Sequence, residues 1–116
     1  MVNGIHAILY ADDAEKARVF FRDILGLKSV DAGRGWLIFE LPPAEIAAHP
    51  SEGEAGKHEL YLMCDDINKT VAELKRKGVE FNGTVADRGW GLLTTLKIPG
   101  GGDIGLYQPK HPTTIG

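Results

Sequence analysis

The side chains of this 116-residue sequence that could do chemistry fall mostly in short alternating runs. From Gly4 to Ala11, Ile5, Ala7, Leu9 and Ala11 share one face of a predicted strand, and His6, Ile8 and Tyr10 share the other. Successive strand side chains point to opposite sides, so one face is wholly apolar and one is mixed. The same parity groups Glu45, Ala47 and His49, then Glu59, Tyr61 and Met63, and finally Asp103, Gly105 and Tyr107. Imidazole and carboxylate groups at His6, His49, Glu45 and Glu59 are of the types that ligate divalent cations. Tyr61, Met63 and Tyr107, with Trp36 and Trp90, are of the types that line a pocket for a flat organic ligand. Each has a plainer reading too. His6 could be a hydrogen-bonded core histidine, Glu59 a rim residue, and the tryptophans ordinary packing.

Other candidates are weaker. His58 falls on the apolar or edge parity, and His111 sits beside a proline near the end of a run, as surface residues do. Cys64 adjoins a helix start, where a thiol can be activated, but its parity is apolar, and a buried, inert thiol is expected. Gly100-Gly101-Gly102 reads as a tight turn, without the spacing or following helix of a phosphate-binding loop. The sequence has no nucleophile elbow, paired-cysteine zinc motif or Rossmann fingerprint.

The elements that must position these residues recur. Asp12-Asp13 supplies an N-cap to a helix whose stripe is Ala17, Phe20, Phe21 and Ile24, closed by Gly26. Asp65-Asp66 caps a second helix with stripe Ile67, Val71 and Leu74, closed by Gly78. Strands are predicted at 28–31, 36–41 and 44–49 after the first helix, and at 79–81, 92–98 and 103–108 after the second. Arg34-Gly35-Trp36 and Arg88-Gly89-Trp90 precede matching strand-like runs, and Asp13 to Gly26 spans the same interval as Asp65 to Gly78. A chain that repeats at half its length is two copies of one unit, here βαβββ. The expected modules are residues 4–49 and 58–109, with a polar linker at 50–57 and a tail at 110–116, all within one domain.

Composition bounds the class. Hydrophobic residues make up 43% and charged residues 25%, the balance of a globular chain. The net charge of −3 and the lack of a basic run argue against nucleic acid as the partner. No run approaches the length of a membrane span, and the single cysteine suits a reducing compartment, so a cytoplasmic protein with no membrane partner is expected.

The tandem βαβββ pattern, with these caps and the run GWGLLTTLKIPGGGDIGLYQP, resembles the vicinal oxygen chelate superfamily, the glyoxalase, bleomycin-resistance and extradiol dioxygenase group. The resemblance covers residues 4 to 109. It implies an α+β fold whose modules form a curled, cup-like mixed sheet with helices outside and the ligand inside. In metal-dependent members the cup holds one divalent ion, ligated from the first and fourth strands of each module. The family's first ligand position falls on His6 and its third on Glu59. Its second and fourth fall on Ala47 and Gly105, which carry no ligating atom; Glu45 or His49 could supply a third ligand if that strand is shifted by two residues. The resemblance also implies a homodimer.

The expectation is a degenerate metal site in a cup that binds a small organic ligand, lined by His6, Ile8, Tyr10, Ala47, Glu59, Tyr61, Met63, Gly105 and Tyr107. One alternative is a lyase, isomerase or dioxygenase using one Zn, Ni, Mn or Fe ion on His6 and Glu59. The other is a non-enzymatic dimerisation or regulatory module.

Overall fold

The computed structural model describes residues 6–9, 11–45, 47, 53 and 58–113. The first helix, α1, runs from Ala14–Val19 and continues as a π-helical turn over Phe20–Ile24. Asp13 is its N-cap, with the carboxylate accepting from the Lys16 amide at 3.1 Å. Strands β1 (Ser29–Asp31) and β2 (Leu37–Phe39) pair antiparallel as a two-stranded sheet. Then come β3 (Tyr61–Met63), helix α2 (Ile67–Arg76), β4 (Ala86–Asp87), β5 (Gly91–Ile98) and β6 (Gly102–Pro109). These four strands form a mixed sheet in the order β3-β6-β5-β4, with β3 parallel to β6 and the other pairs antiparallel. The fold is α+β, and the two sheets do not close into a barrel.

Local chemistry explains why α2 sits where it does. The Asp66 carboxylate accepts from the Lys69 amide at 3.1 Å, satisfying one of the donors that a helix start leaves unpaired. A second such donor, the Ile67 amide, reaches the Gln108 side-chain oxygen at 3.0 Å, which fastens the helix to β6. Gly78, with φ +88°, ends the helix in the left-handed region. Ile67 and Leu74 are then buried against Leu96 and Ile98 of β5 and Ile104 and Leu106 of β6. Burying each such side chain contributes about 1.5–3 kcal/mol. Ala17 and Phe20 of the first helical segment join the same core, and the Asp13 amide donates to the Gly100 carbonyl at 2.8 Å, tying the first half to the β5–β6 turn.

The repeat has a physical form. Asp31 accepts from the Gly33 and Gly35 amides ahead of Trp36 and β2, and Asp87 accepts from the Gly89 amide ahead of Trp90 and β5. Gly35 and Gly89 have φ of +83° and +82°. The two Arg-Gly-Trp turns are one device used twice.

Several predicted strands differ from those observed. Residues 6–9 and 11 are not in a strand, and residues 2–5 and Tyr10 lie outside the described residues. Of the strand predicted over 44–49, Ala44, Glu45 and Ala47 are not in a strand, and Ile46, Ala48 and His49 lie outside the described residues. Pro42-Pro43 removes two backbone donors just before it, which weakens any ladder there. The strand predicted over 79–81 reduces to a single bridge from Phe81 to Leu96. The ladder on that edge is interrupted at Asn82-Gly83, where Gly83 takes φ +83°, and resumes as β4, which the alternation did not reveal.

Candidate functional site

Alternation along β6 sends Ile104 and Leu106 toward the helices and Gly105 and Tyr107 to the opposite face. Register then fixes their neighbours. Tyr61 lies beside Gly105 and Met63 beside Tyr107 on the β3 flank; Thr95 and Leu93 occupy the same rows on the β5 flank. Tyr107 is the centre of an aromatic cluster and is only 9% exposed. The Tyr61 ring stands edge-on to it at 5.6 Å and 81°, and the Trp90 ring at 5.7 Å and 71°. The His111 ring is 6.1 Å from Tyr107.

Two glycines make this packing possible. A Cβ at Gly105 would lie 2.6 Å from Tyr61 Cε1 and still nearer Cδ1, so the tyrosine ring occupies the space a side chain would need. A Cβ at Gly91 would meet the Gln108 carbonyl oxygen at 2.9 Å and Tyr107 Cδ2 at 3.3 Å. The flanking strands thus carry no side chain where the rings lie down.

The hydroxyls of Tyr61 and Tyr107 each donate to a glutamate. Tyr61 reaches Glu59 Oε2 at 2.6 Å, and Tyr107 reaches Glu45 Oε1 at 3.3 Å. The hydrogen bond to Glu59 chiefly, with burial and the glutamate's charge, pushes the Tyr61 phenol up to about 12. Burial first, and then the Glu45 charge and hydrogen bond, raises Tyr107 as well. Both phenols are therefore held protonated, as donors, near neutral pH. Cys64, half-buried, has its thiol pushed up mainly by burial, and Sγ lies 3.6 Å from the Tyr107 carbonyl oxygen. It is not an activated thiolate.

Glu59, Tyr61, Met63, Gly105 and Tyr107 therefore share one face, and Glu45 joins them through Tyr107. His6, Ile8 and Ala47 are exposed and outside any strand, and among the described residues no hydrogen bond or ion pair ties His6 to the cluster. Tyr10 and His49 lie outside the described residues. Trp36 belongs elsewhere, beneath the Arg18 guanidinium at 5.3 Å. His111, read from sequence as a surface residue, is half-buried against Tyr107; nothing in its local sequence signalled that packing.

A divalent ion finds a poor donor set here. Ala47 and Gly105 offer no ligating atom, and Tyr61 covers Gly105 while its hydroxyl engages Glu59. Among the described residues no three His, Cys, Asp or Glu side chains gather in a group that could hold a metal. Among the described residues, the side chains on this face do not make up the three-ligand set that a catalytic ion normally keeps.

Residues 5–106 match the model of the Glyoxalase/Bleomycin resistance protein/Dioxygenase superfamily, and the chain belongs to that superfamily. No curated protein matches the sequence. Among solved structures it is similar to TnmS3, an antibiotic binding protein from Streptomyces sp. CB03234, at 24% identity and TM-score 0.68, covering 94% of this chain and 98% of that one. It is also similar to a lactoylglutathione lyase from Agrobacterium tumefaciens, at 17% identity and TM-score 0.64, covering 91% and 92%. A glyoxalase/bleomycin resistance protein from the same Streptomyces strain shares 26% identity at TM-score 0.59, covering 86% and 95%. The match to the family model bears out the expected family, and the solved structures bear out the expected fold.

Proposed function

We propose that the chain is a metal-independent binding protein that holds a small organic ligand against the Tyr61–Tyr107 face of its sheet. One observation carries this reading: the Tyr61 ring takes the space above Gly105, where metal-using relatives carry a ligand, and its hydroxyl binds Glu59. The same replacement that removes a metal site supplies an aromatic surface, and aromatic side chains offer large contact area with fixed orientation. A solved relative with this fold is itself described as an antibiotic binding protein, so the fold accommodates such a role.

The working unit in this reading is a homodimer. Val30 and Ile38 are cross-strand partners on β1 and β2, and they are 67% and 43% exposed. Phe39 on the other face packs against Phe21 at 5.4 Å, so one face of the hairpin is covered and the other is bare and apolar. A second copy would cover it, as apolar surface of this kind is commonly covered.

Thermal-shift screening with small aromatic compounds tests the reading. A ligand that binds only the folded state raises its melting temperature by mass action. A stabilising ligand is expected whose effect is lost in Tyr107→Leu and persists in the presence of a chelator. Stabilisation that disappears with chelator would contradict metal independence.

A further inference from the structure

We propose that Asn82-Gly83 is a site of spontaneous deamidation, and that the carboxylate formed there loosens the sheet edge beside β5 by facing Asp103. The pair sits in a bend between the Phe81–Leu96 bridge and β4, and both residues are exposed. Gly83, at φ +83°, has no Cβ to hinder approach to its nitrogen. Among the described residues its amide donates to nothing, so no hydrogen bond holds that nitrogen back. Asn68 is the contrast. It lies within α2 and is followed by Lys69, whose amide is held by Asp66 at 3.1 Å. Asn3-Gly4 lies outside the described residues.

The chemistry needs only water. The Gly83 amide nitrogen loses its proton to solvent base and bonds to Asn82 Cγ. The Cγ–Nδ2 bond breaks, and Nδ2 departs as ammonia with a proton taken from solvent. Water then opens the cyclic imide at either carbonyl. Cleavage of the new bond to Cγ leaves aspartate; cleavage of the main-chain bond leaves isoaspartate, whose backbone runs through Cγ. In sum an amide and a water become an acid and an ammonia, with no oxidation or reduction.

The surroundings of Asn82 give the product its effect. Nδ2 donates to Asp103 Oδ2 at 2.8 Å, so deamidation puts a charged oxygen where a donor stood, against a carboxylate. Like charges this close repel. Lys97, opposite Asp103 in the β5–β6 ladder, is already shared with Glu80 at 3.9 Å. The bonds that repulsion strains are those from the Asn82 amide to the Thr95 carbonyl at 2.8 Å and from the Lys97 amide to the Glu80 carbonyl at 2.9 Å.

The test ages the full chain in mildly alkaline buffer and maps aspartate and isoaspartate at each asparagine, with the urea-unfolded chain as reference. Conversion at Asn82, with Asn68 retained, is the expected result. Asn82 left intact in the folded chain over the time the unfolded chain converts would overturn the site. Amide hydrogen exchange then reads the consequence. In Asn82→Asp, exchange at the amides of residues 82 and 97 is expected to be about tenfold faster than in Asn82→Ser, which removes the hydrogen bond without adding charge. Adding Asp103→Asn to Asn82→Asp is expected to restore protection, since the new amide can donate back across the pair. Equal exchange in the Asp and Ser variants would overturn the repulsion.

Discussion

Tyr61 is the residue on which the site turns, because one side chain both covers Gly105 and caps Glu59. Its raised phenol gives a direct check. The folded state favours the protonated form, so the resulting stabilisation is complete below the unfolded value near 10 and fades as pH rises toward about 12. Absorbance titration at 295 nm should show one tyrosine ionising near 12 that is missing in Tyr61→Phe. In Glu59→Gln that transition should move down toward 10, since the largest cause of the shift is gone; an unmoved transition would contradict the Glu59 contact. Gly105 gives a second check. Gly105→Ala should cost about 1–3 kcal/mol in denaturant unfolding through overlap with the ring, and the cost should shrink in a Tyr61→Ala background. Equal cost in both backgrounds would mean that the ring is not what the new methyl meets.

Among the elements, α2 was the most legible in the sequence, and the reasons are local. Asp66, the stripe Ile67, Val71 and Leu74, and Gly78 lie within one short segment and agree with one another. Asp66→Ala should therefore destabilise the fold by about 0.5–2 kcal/mol, measured by urea unfolding, with little change in the unfolding slope. Strands β5 and β6 were legible for the same kind of reason, since eight-residue alternation is hard to mistake. What the sequence could not carry was set at a distance. β4 is two residues long and exists because β5 offers it an edge. The Tyr61–Glu59 pair, two residues apart on one face, was readable as neighbours. The Tyr107–Glu45 bond spans 62 positions and depends on how the halves meet. That Tyr61 lies over Gly105 follows from the β3–β6 register, which no periodicity fixes. The metal positions could be compared with the family's by counting, but what fills the empty ones is a tertiary fact.

For the whole molecule, the tandem repeat made the α+β fold legible, and with it the resemblance to the family, because two similar capped helices and two Arg-Gly-Trp turns constrain each other. No helix among the described residues is long and apolar enough to cross a membrane. The exposed Val30–Ile38 pair carries the prediction at this scale. Sedimentation velocity should give a species of twice the 12.6 kDa chain mass, and Val30→Lys with Ile38→Glu should shift it to the monomer without unfolding it. A wild-type monomer at high concentration would contradict the homodimer. The central claim, a cup that works without a metal ion, is tested most directly by elemental analysis. The protein should be purified without chelator or tag histidines, then dialysed in turn against Zn, Ni, Mn and Fe(II). Substoichiometric metal under every condition is the expected result. Near one equivalent of any ion, lost in His6→Ala, would contradict it.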